Sequence, residues 1–177
     1  MHFPPHTQKT HDNPNATPLT QSGLRITAHN VNGINKLSKE QTYINRYIVL
    51  GIDIICLIHV RLDQHKLIQL ENRYKKGYNA ILNSNPKRGI LILINNHKDI
   101  QWEEKFRSND GNILLLNIKY DNQMFQILAI YGPNKDNEPF YDKILSLLTT
   151  DPQEQVLWIG DFNTGLPKTS HQLPHPS

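Results

Sequence analysis

The sequence predicts an α/β protein, a layered sandwich of mixed sheets flanked by helices. Three observations carry that expectation. Short apolar runs of strand type recur between Leu24 and Ile159, amphipathic helical stretches lie between some of them, and a hairpin section breaks the strand–helix alternation. A doubly wound dinucleotide sheet fits less well, because no Gly-rich phosphate loop follows a strand.

Leu24 to Asn30 is a short strand-like run closing on Asn-Val-Asn-Gly, and Ile52 to Ile58 is a nearly continuous apolar run of buried-strand type. Between them, Ser38-Lys-Glu-Gln41 has the spacing of a capping box. Tyr43, Ile44, Tyr47 and Ile48 follow at helical intervals, which predicts a helix over Lys39 to Leu50. Gln64 to Tyr74 is a second helix with Leu67, Ile68 and Leu70 on its apolar side. Strands then follow at Tyr78–Leu82, Gly89–Asn95, Ile113–Tyr120 and Gln123–Tyr131, separated by turn residues at Asn83 to Pro86 and by Asp121-Asn122, a two-residue hairpin connection. Asn137 caps a third helix with Pro139 in its first turn and Phe140, Tyr141, Ile144, Leu145 and Leu148 as its buried stripe. Gln155 to Ile159 is a last strand, running into Gly160-Asp161-Phe162-Asn163.

With 177 residues, one core accounts for the chain. Lys plus Arg is 19 and Asp plus Glu is 16, a net charge of +3 that implies no nucleic-acid partner by itself. The segment Ile34 to Lys76 is mildly basic and reads as a solvated helical face or as a contact for a DNA backbone. The apolar runs fall well short of the roughly 18 residues of a membrane span, so no membrane partner is expected. Residues 1–22 and 167–177 are polar and Pro-rich and read as tails around a domain over residues 23–166. The N-terminal segment lacks the apolar stretch of a secretory signal, and the single cysteine, Cys56, forms no internal disulfide. These features predict an intracellular chain, nuclear or cytoplasmic.

Polar residues that close buried strands are candidate site residues, since a strand end fixes a side chain at the rim of the sheet. Three segments qualify: Asn30-Val-Asn-Gly33, Tyr131-Gly-Pro-Asn134 and Gly160-Asp-Phe-Asn163. Asn and Gly are also ordinary turn formers, so each segment taken singly reads first as a turn and only second as a site.

Taken in order, the motifs say more. Asn-x-Asn-Gly, an apolar strand ending Cys-Leu-x-x-x-Arg-Leu, Arg-Gly-Ile-Leu-Ile-Leu-Ile, Ile-Tyr-Gly-Pro-Asn and Ile-Gly-Asp-Phe-Asn succeed one another over Leu24 to Leu166. This succession resembles the endonuclease/exonuclease/phosphatase superfamily, and within it the endonuclease domain of non-LTR, LINE-type retrotransposons. The resemblance implies a deoxyribonuclease I-like four-layer α/β sandwich and divalent-metal-dependent hydrolysis of DNA phosphodiesters, with Mg²⁺ or Mn²⁺ as cofactor and DNA as partner. It implies that Asn30 and Asn32 sit on the metal and phosphate side, that Tyr131 stabilises the charged phosphate, that Asp161 orients or deprotonates the water, and that Asn163 holds phosphate oxygens. Asn134 and Arg88 would contact the nucleic-acid phosphates.

Two departures from the family pattern bear on activity. The family's second strand ends in Gln-Glu-Thr, whose Glu binds the metal; Ile58-His59-Val60 stands there instead. Neutral imidazole is a poor ligand for Mg²⁺, and a His after an apolar strand also serves as an ordinary hydrogen-bonded turn residue. The family's later Asp-His pair has no counterpart after Asp161. The expectation is therefore a partial, C-terminally truncated sandwich of impaired activity, prone to self-association through an exposed sheet edge. The alternative is a non-catalytic module that binds nucleic acid or protein.

Overall fold

The structure, a computed structural model, describes residues 23–134, 137–148 and 155–163. The tails expected over 1–22 and 167–177 lie outside the described residues. In chain order the elements are β1 (Ile26–Asn30), α1 (Leu37–Val49), β2 (Ile54–Ile58), α2 (Gln64–Tyr74), β3 (Tyr78–Asn83), β4 (Ile90–Asn95), β5 (Gln101–Arg107), β6 (Ile113–Tyr120), β7 (Gln123–Tyr131), α3 (Glu138–Leu147) and β8 (Gln155–Asp161).

Two four-stranded mixed sheets result, ordered β1-β2-β4-β3 and β5-β6-β7-β8. Each contains one parallel pair, β1 with β2 and β7 with β8, and each pair is connected through a helix, α1 or α3. The two-residue period of the strands sorts their side chains into layers. Ile55 and Leu57 of β2, with Leu91 and Leu93 of β4, pack under α1 and α2 against Ile44, Leu67 and Leu70. Their neighbours Ile54, Cys56, Ile58, Ile90, Ile92 and Ile94 face Leu114, Leu116, Ile118, Ile127 and Ala129 of the other sheet. Ile113, Leu115, Leu128 and Ile130 turn outward and are covered by Ile144 of α3. Helix, sheet, sheet and helix thus form the four layers expected from the sequence. The central strands are buried on both faces, which is why β2 and β4 read as continuous apolar runs.

Local differences from the sequence reading have physical causes. Helix α1 begins at Leu37, with Lys36 as its N-cap residue and no side-chain cap; Ser38 lies inside the first turn, where its carbonyl accepts from Thr42 Oγ1 at 2.8 Å. The expected capping box does not form. Glu40, in the same turn, faces α2, where Arg73 donates to it through Nε and Nη2 at 2.9 and 2.6 Å. In α2 the buried residues are Leu67, Leu70 and Tyr74, and Ile68 is exposed because it lies a third of a turn off that stripe. Leu145 is exposed in α3 for the same reason. Asn83, expected in a turn, closes β3 and is buried; its Nδ2 donates to the Ile113 carbonyl at 2.8 Å and so ties the two sheets together. The strand β5 was not anticipated, since six of its seven residues are exposed.

Asp121 and Asn122 both have positive φ, 49° and 60°, as a two-residue hairpin turn of this kind requires. Asp63 and Asn137 cap α2 and α3 by accepting from Lys66 and Phe140 N–H.

Candidate active site

Parallel strands end on the same side of a sheet, and the sequence supplies two such pairs. Asn30 is paired with Ile58 at the end of β1 and β2, and Tyr131 with Asp161 at the end of β7 and β8. Strands β1 and β8 touch across the sandwich, so all four ends share one rim. There Asn30 Nδ2 donates to Asp161 Oδ2, joining one sheet to the other.

The backbone around this pair is shaped by its own side chains. Asn32, at φ 45°, donates its N–H to Asn30 Oδ1 at 3.1 Å. Asn163, at φ 48°, repeats the arrangement by donating its N–H to Asp161 Oδ1 at 3.1 Å. Such Asx turns explain why Asn recurs two residues apart in the first segment and why Asn follows Asp in the last. Asn163 Nδ2 also donates to the Gly132 carbonyl at 2.8 Å, which fastens the loop after Tyr131, and its second amide proton has no acceptor among the described residues. The position of Asp161 depends on Gly160: a Cβ there would lie 2.0 Å from the Ile130 carbonyl oxygen, and φ is +144°, so only glycine lets β8 run flush against β7.

His59 sits directly after β2 at φ 60°, with its ring stacked on Tyr131 at 4.6 Å between centroids. Its Nε2 accepts from Arg61 Nε at 2.9 Å, so the ring proton belongs on Nδ1. Burial holds the imidazole below its ordinary pKa, and the Arg61 and Arg88 charges add to the effect; a backbone hydrogen bond to Lys87 and the Asp161 carboxylate oppose it. The Tyr131 hydroxyl makes no hydrogen bond among the described residues, which leaves it free to donate at the rim. Asn134 is exposed in the following loop. The Arg88 guanidinium lies 3.8 Å from Asp110 with its side chain 45% exposed, a loose surface pair.

The structure thus brings Asn30, Asn32, His59, Tyr131, Asp161 and Asn163 to one rim, with Arg88 and Asn134 at its margins. It adds Arg61. Spacing alone did not reveal that residue, because the positive φ of His59 and of Arg61 is what brings the two side chains together.

A divalent hard cation does not fit this set of donors. Mg²⁺ and Mn²⁺ want several carboxylate or carbonyl oxygens, and Asp161 is the one carboxylate placed at the rim by these strand ends. Both Asp161 oxygens and the Asn30 carbonyl oxygen already accept hydrogen bonds from neighbours, and His59 Nε2 is occupied by a guanidinium. No group of three His, Cys, Asp or Glu side chains suited to a metal occurs among the described residues.

Sheets, layers and the shared rim form the deoxyribonuclease I-like sandwich expected from the resemblance to the endonuclease/exonuclease/phosphatase superfamily. Solved structures bear this out. The D. rerio TDP2 complexed with single-strand DNA product matches at 15% identity and a TM-score of 0.61, over 80% of this chain and 61% of that one. An AP endonuclease from Archaeoglobus fulgidus matches at 19% identity and a TM-score of 0.55, over 80% of this chain and 58% of that one. The endonuclease domain of TRAS1, a telomere-specific non-LTR retrotransposon, matches at 11% identity and a TM-score of 0.59, over 80% of this chain and 61% of that one. The chain therefore spans about three fifths of the length of these structures. No family model matches the sequence.

Proposed function

We propose that this chain is a DNA-phosphodiester-binding member of that superfamily, derived from a retrotransposon-type endonuclease, in which metal-dependent hydrolysis is impaired. One observation carries the reading: the convergence of Asn30, Tyr131, Asp161 and Asn163 on one rim through two parallel strand pairs. The DNA-processing neighbours and the order of the five sequence motifs support it.

At the rim, the Tyr131 hydroxyl and the second amide proton of Asn163 are donors suited to phosphate oxygens. The Asp161 carboxylate, steadied by Asn30 and by the Asn163 N–H, is placed to polarise a water. The Glu that the family uses for its metal is replaced by His59, and the remaining donors do not form a site for a hard cation. Removing one such group typically lowers a rate by about 10² to 10⁴.

Supercoiled plasmid incubated with the protein and Mg²⁺ or Mn²⁺ tests both halves. The expected result is a salt-dependent gel shift with no nicking above that of Asp161→Ala. Efficient nicking that Asp161→Ala abolishes would overturn the impairment, and absence of DNA binding at low salt would overturn the substrate.

A further inference from the structure

We propose that Arg61 supplies the positive charge of this rim, so that a phosphodiester or phosphate anion is held there by a guanidinium without a divalent cation. The inference rests on the proposed phosphodiester-binding function and names the group that would do the binding.

The argument begins with the backbone. His59 and Arg61 both adopt positive φ, 60° and 55°, on either side of Val60. Two non-glycine residues in that region within three positions are costly, and such strain persists only where surrounding contacts enforce it. Here they do. Gly33 N–H donates to the His59 carbonyl at 2.6 Å and Ile34 N–H to the Val60 carbonyl at 2.9 Å, while Val60 and Arg61 N–H donate to the carbonyls of Gly89 and Arg88 at 3.1 and 2.7 Å. The segment is thus fastened from both flanks, and its conformation turns the side chains of His59 and Arg61 toward one another.

The Arg61 stem is seated as firmly. Gly33, at φ +81°, leaves the space it fills: a Cβ there would lie 3.2 Å from Arg61 Cδ. The guanidinium then spends Nε–H on His59 Nε2, and its remaining donors are exposed. Among the described residues no carboxylate lies within ion-pair distance of Arg61, although Arg73, Arg88 and Arg107 each have one. A positioned guanidinium with four N–H groups and no carboxylate partner among the described residues is a receptor for a bidentate oxyanion. His59 links it to the rest of the rim, because its ring stacks on Tyr131 and lies close enough to Asp161 to feel that carboxylate. The cation thus comes from the chain itself, beside the strand end where the family pattern has a metal-binding Glu.

The experiment titrates the full chain with inorganic phosphate in EDTA and follows the His59 imidazole by NMR, then measures binding of a short DNA duplex in EDTA across a range of salt. The inference expects His59 resonances to move with phosphate. It expects Arg61→Gln, which keeps most of the stem against Gly33, to weaken duplex binding about tenfold and to lower the salt slope by about 0.9, while Arg61→Lys loses less. Lys119→Gln, far from the rim in β6, serves as the control of equal charge change. Thermal melting of Arg61→Gln close to wild type excludes loss of the fold as the cause. Unmoved His59 resonances, Arg61→Gln binding like wild type, or binding that requires added Mg²⁺ would each overturn the inference. A phosphate response at His59 without any DNA binding would instead sink the DNA reading and leave the anion site standing.

Discussion

Asp53 is a carboxylate that holds a junction together. Its side chain is 3% exposed and accepts from the Arg25 N–H at 2.9 Å, from Lys98 Nζ at 2.8 Å and from Asn95 Nδ2 at 3.3 Å, joining the lead into β1 to β2 and to the end of β4. Burial alone would raise its pKa, but these donors outweigh it and hold the group below the ordinary carboxylate value. A depressed folded-state pKa means that the contribution to stability is complete above the unfolded value near 4 and is lost as pH falls through the folded value. Urea denaturation followed from pH 7 down to 2 should therefore show wild type keeping its advantage over Asp53→Asn down to about pH 4 and losing it progressively below that. At pH 7 the variant should be less stable by about 1–3 kcal/mol, the usual worth of hydrogen bonds to a charged group. A gap that stays constant from pH 7 to 2 would contradict this account. His59→Glu makes the complementary test at the rim, since it adds hard oxygen donors near Asp161. Calorimetry should register Mg²⁺ binding roughly tenfold tighter than in wild type; equal affinities would mean that position 59 does not face the carboxylate.

The two edge strands of the second sheet are built differently. β5 carries Glu103, Glu104, Lys105 and Arg107, so its free edge is lined with charge, the usual protection against pairing with another chain. β8 exposes Leu157 and Trp158, at 39% and 37%, with no charged residue before Asp161, whereas the exposed Trp102 of β5, at 40%, is followed directly by those charges. Replacing Lys105 by Val should raise light scattering at high protein concentration, and Trp158→Lys should lower it; no response to either change would clear both edges of a role in self-association. The same contrast explains which elements were legible in the sequence. Strands buried on both faces announce themselves as apolar runs, α3 by a cap followed by a 3–4 spacing, and α2 by its apolar side alone. β5 offers neither signal, because its residues answer to solvent and not to a core. The start of α1 was misread because Ser38, the apparent cap, lies inside a helix that begins at Leu37 without a side-chain cap, a start that local spacing does not mark. At the rim, Asn30, Tyr131, Asp161 and Asn163 were readable as polar strand ends, whereas Arg61 became visible only through the positive φ values that bring it onto His59.

Both parallel pairs lie in different sheets, so the rim exists only when the whole sandwich has closed. The hydrogen bond that joins them links residues 131 positions apart, Asn30 in the first strand and Asp161 in the last. Bringing such distant segments together costs loop-closure entropy that nearer contacts, such as the β6–β7 hairpin, do not incur. Native-like secondary structure should accordingly return before the rim does. In a stopped-flow refolding experiment, far-UV ellipticity should recover ahead of the capacity to bind a DNA duplex, with the binding signal confined to the slowest phase. Coincident recovery of both signals would show that the ends meet early. A chain caught partway, as when it emerges from the ribosome with β8 still inside, would lack Asp161 and with it the hydrogen bond that joins the two sheets at the rim. Competence at the rim is thus timed by synthesis: it waits for the last strand described here.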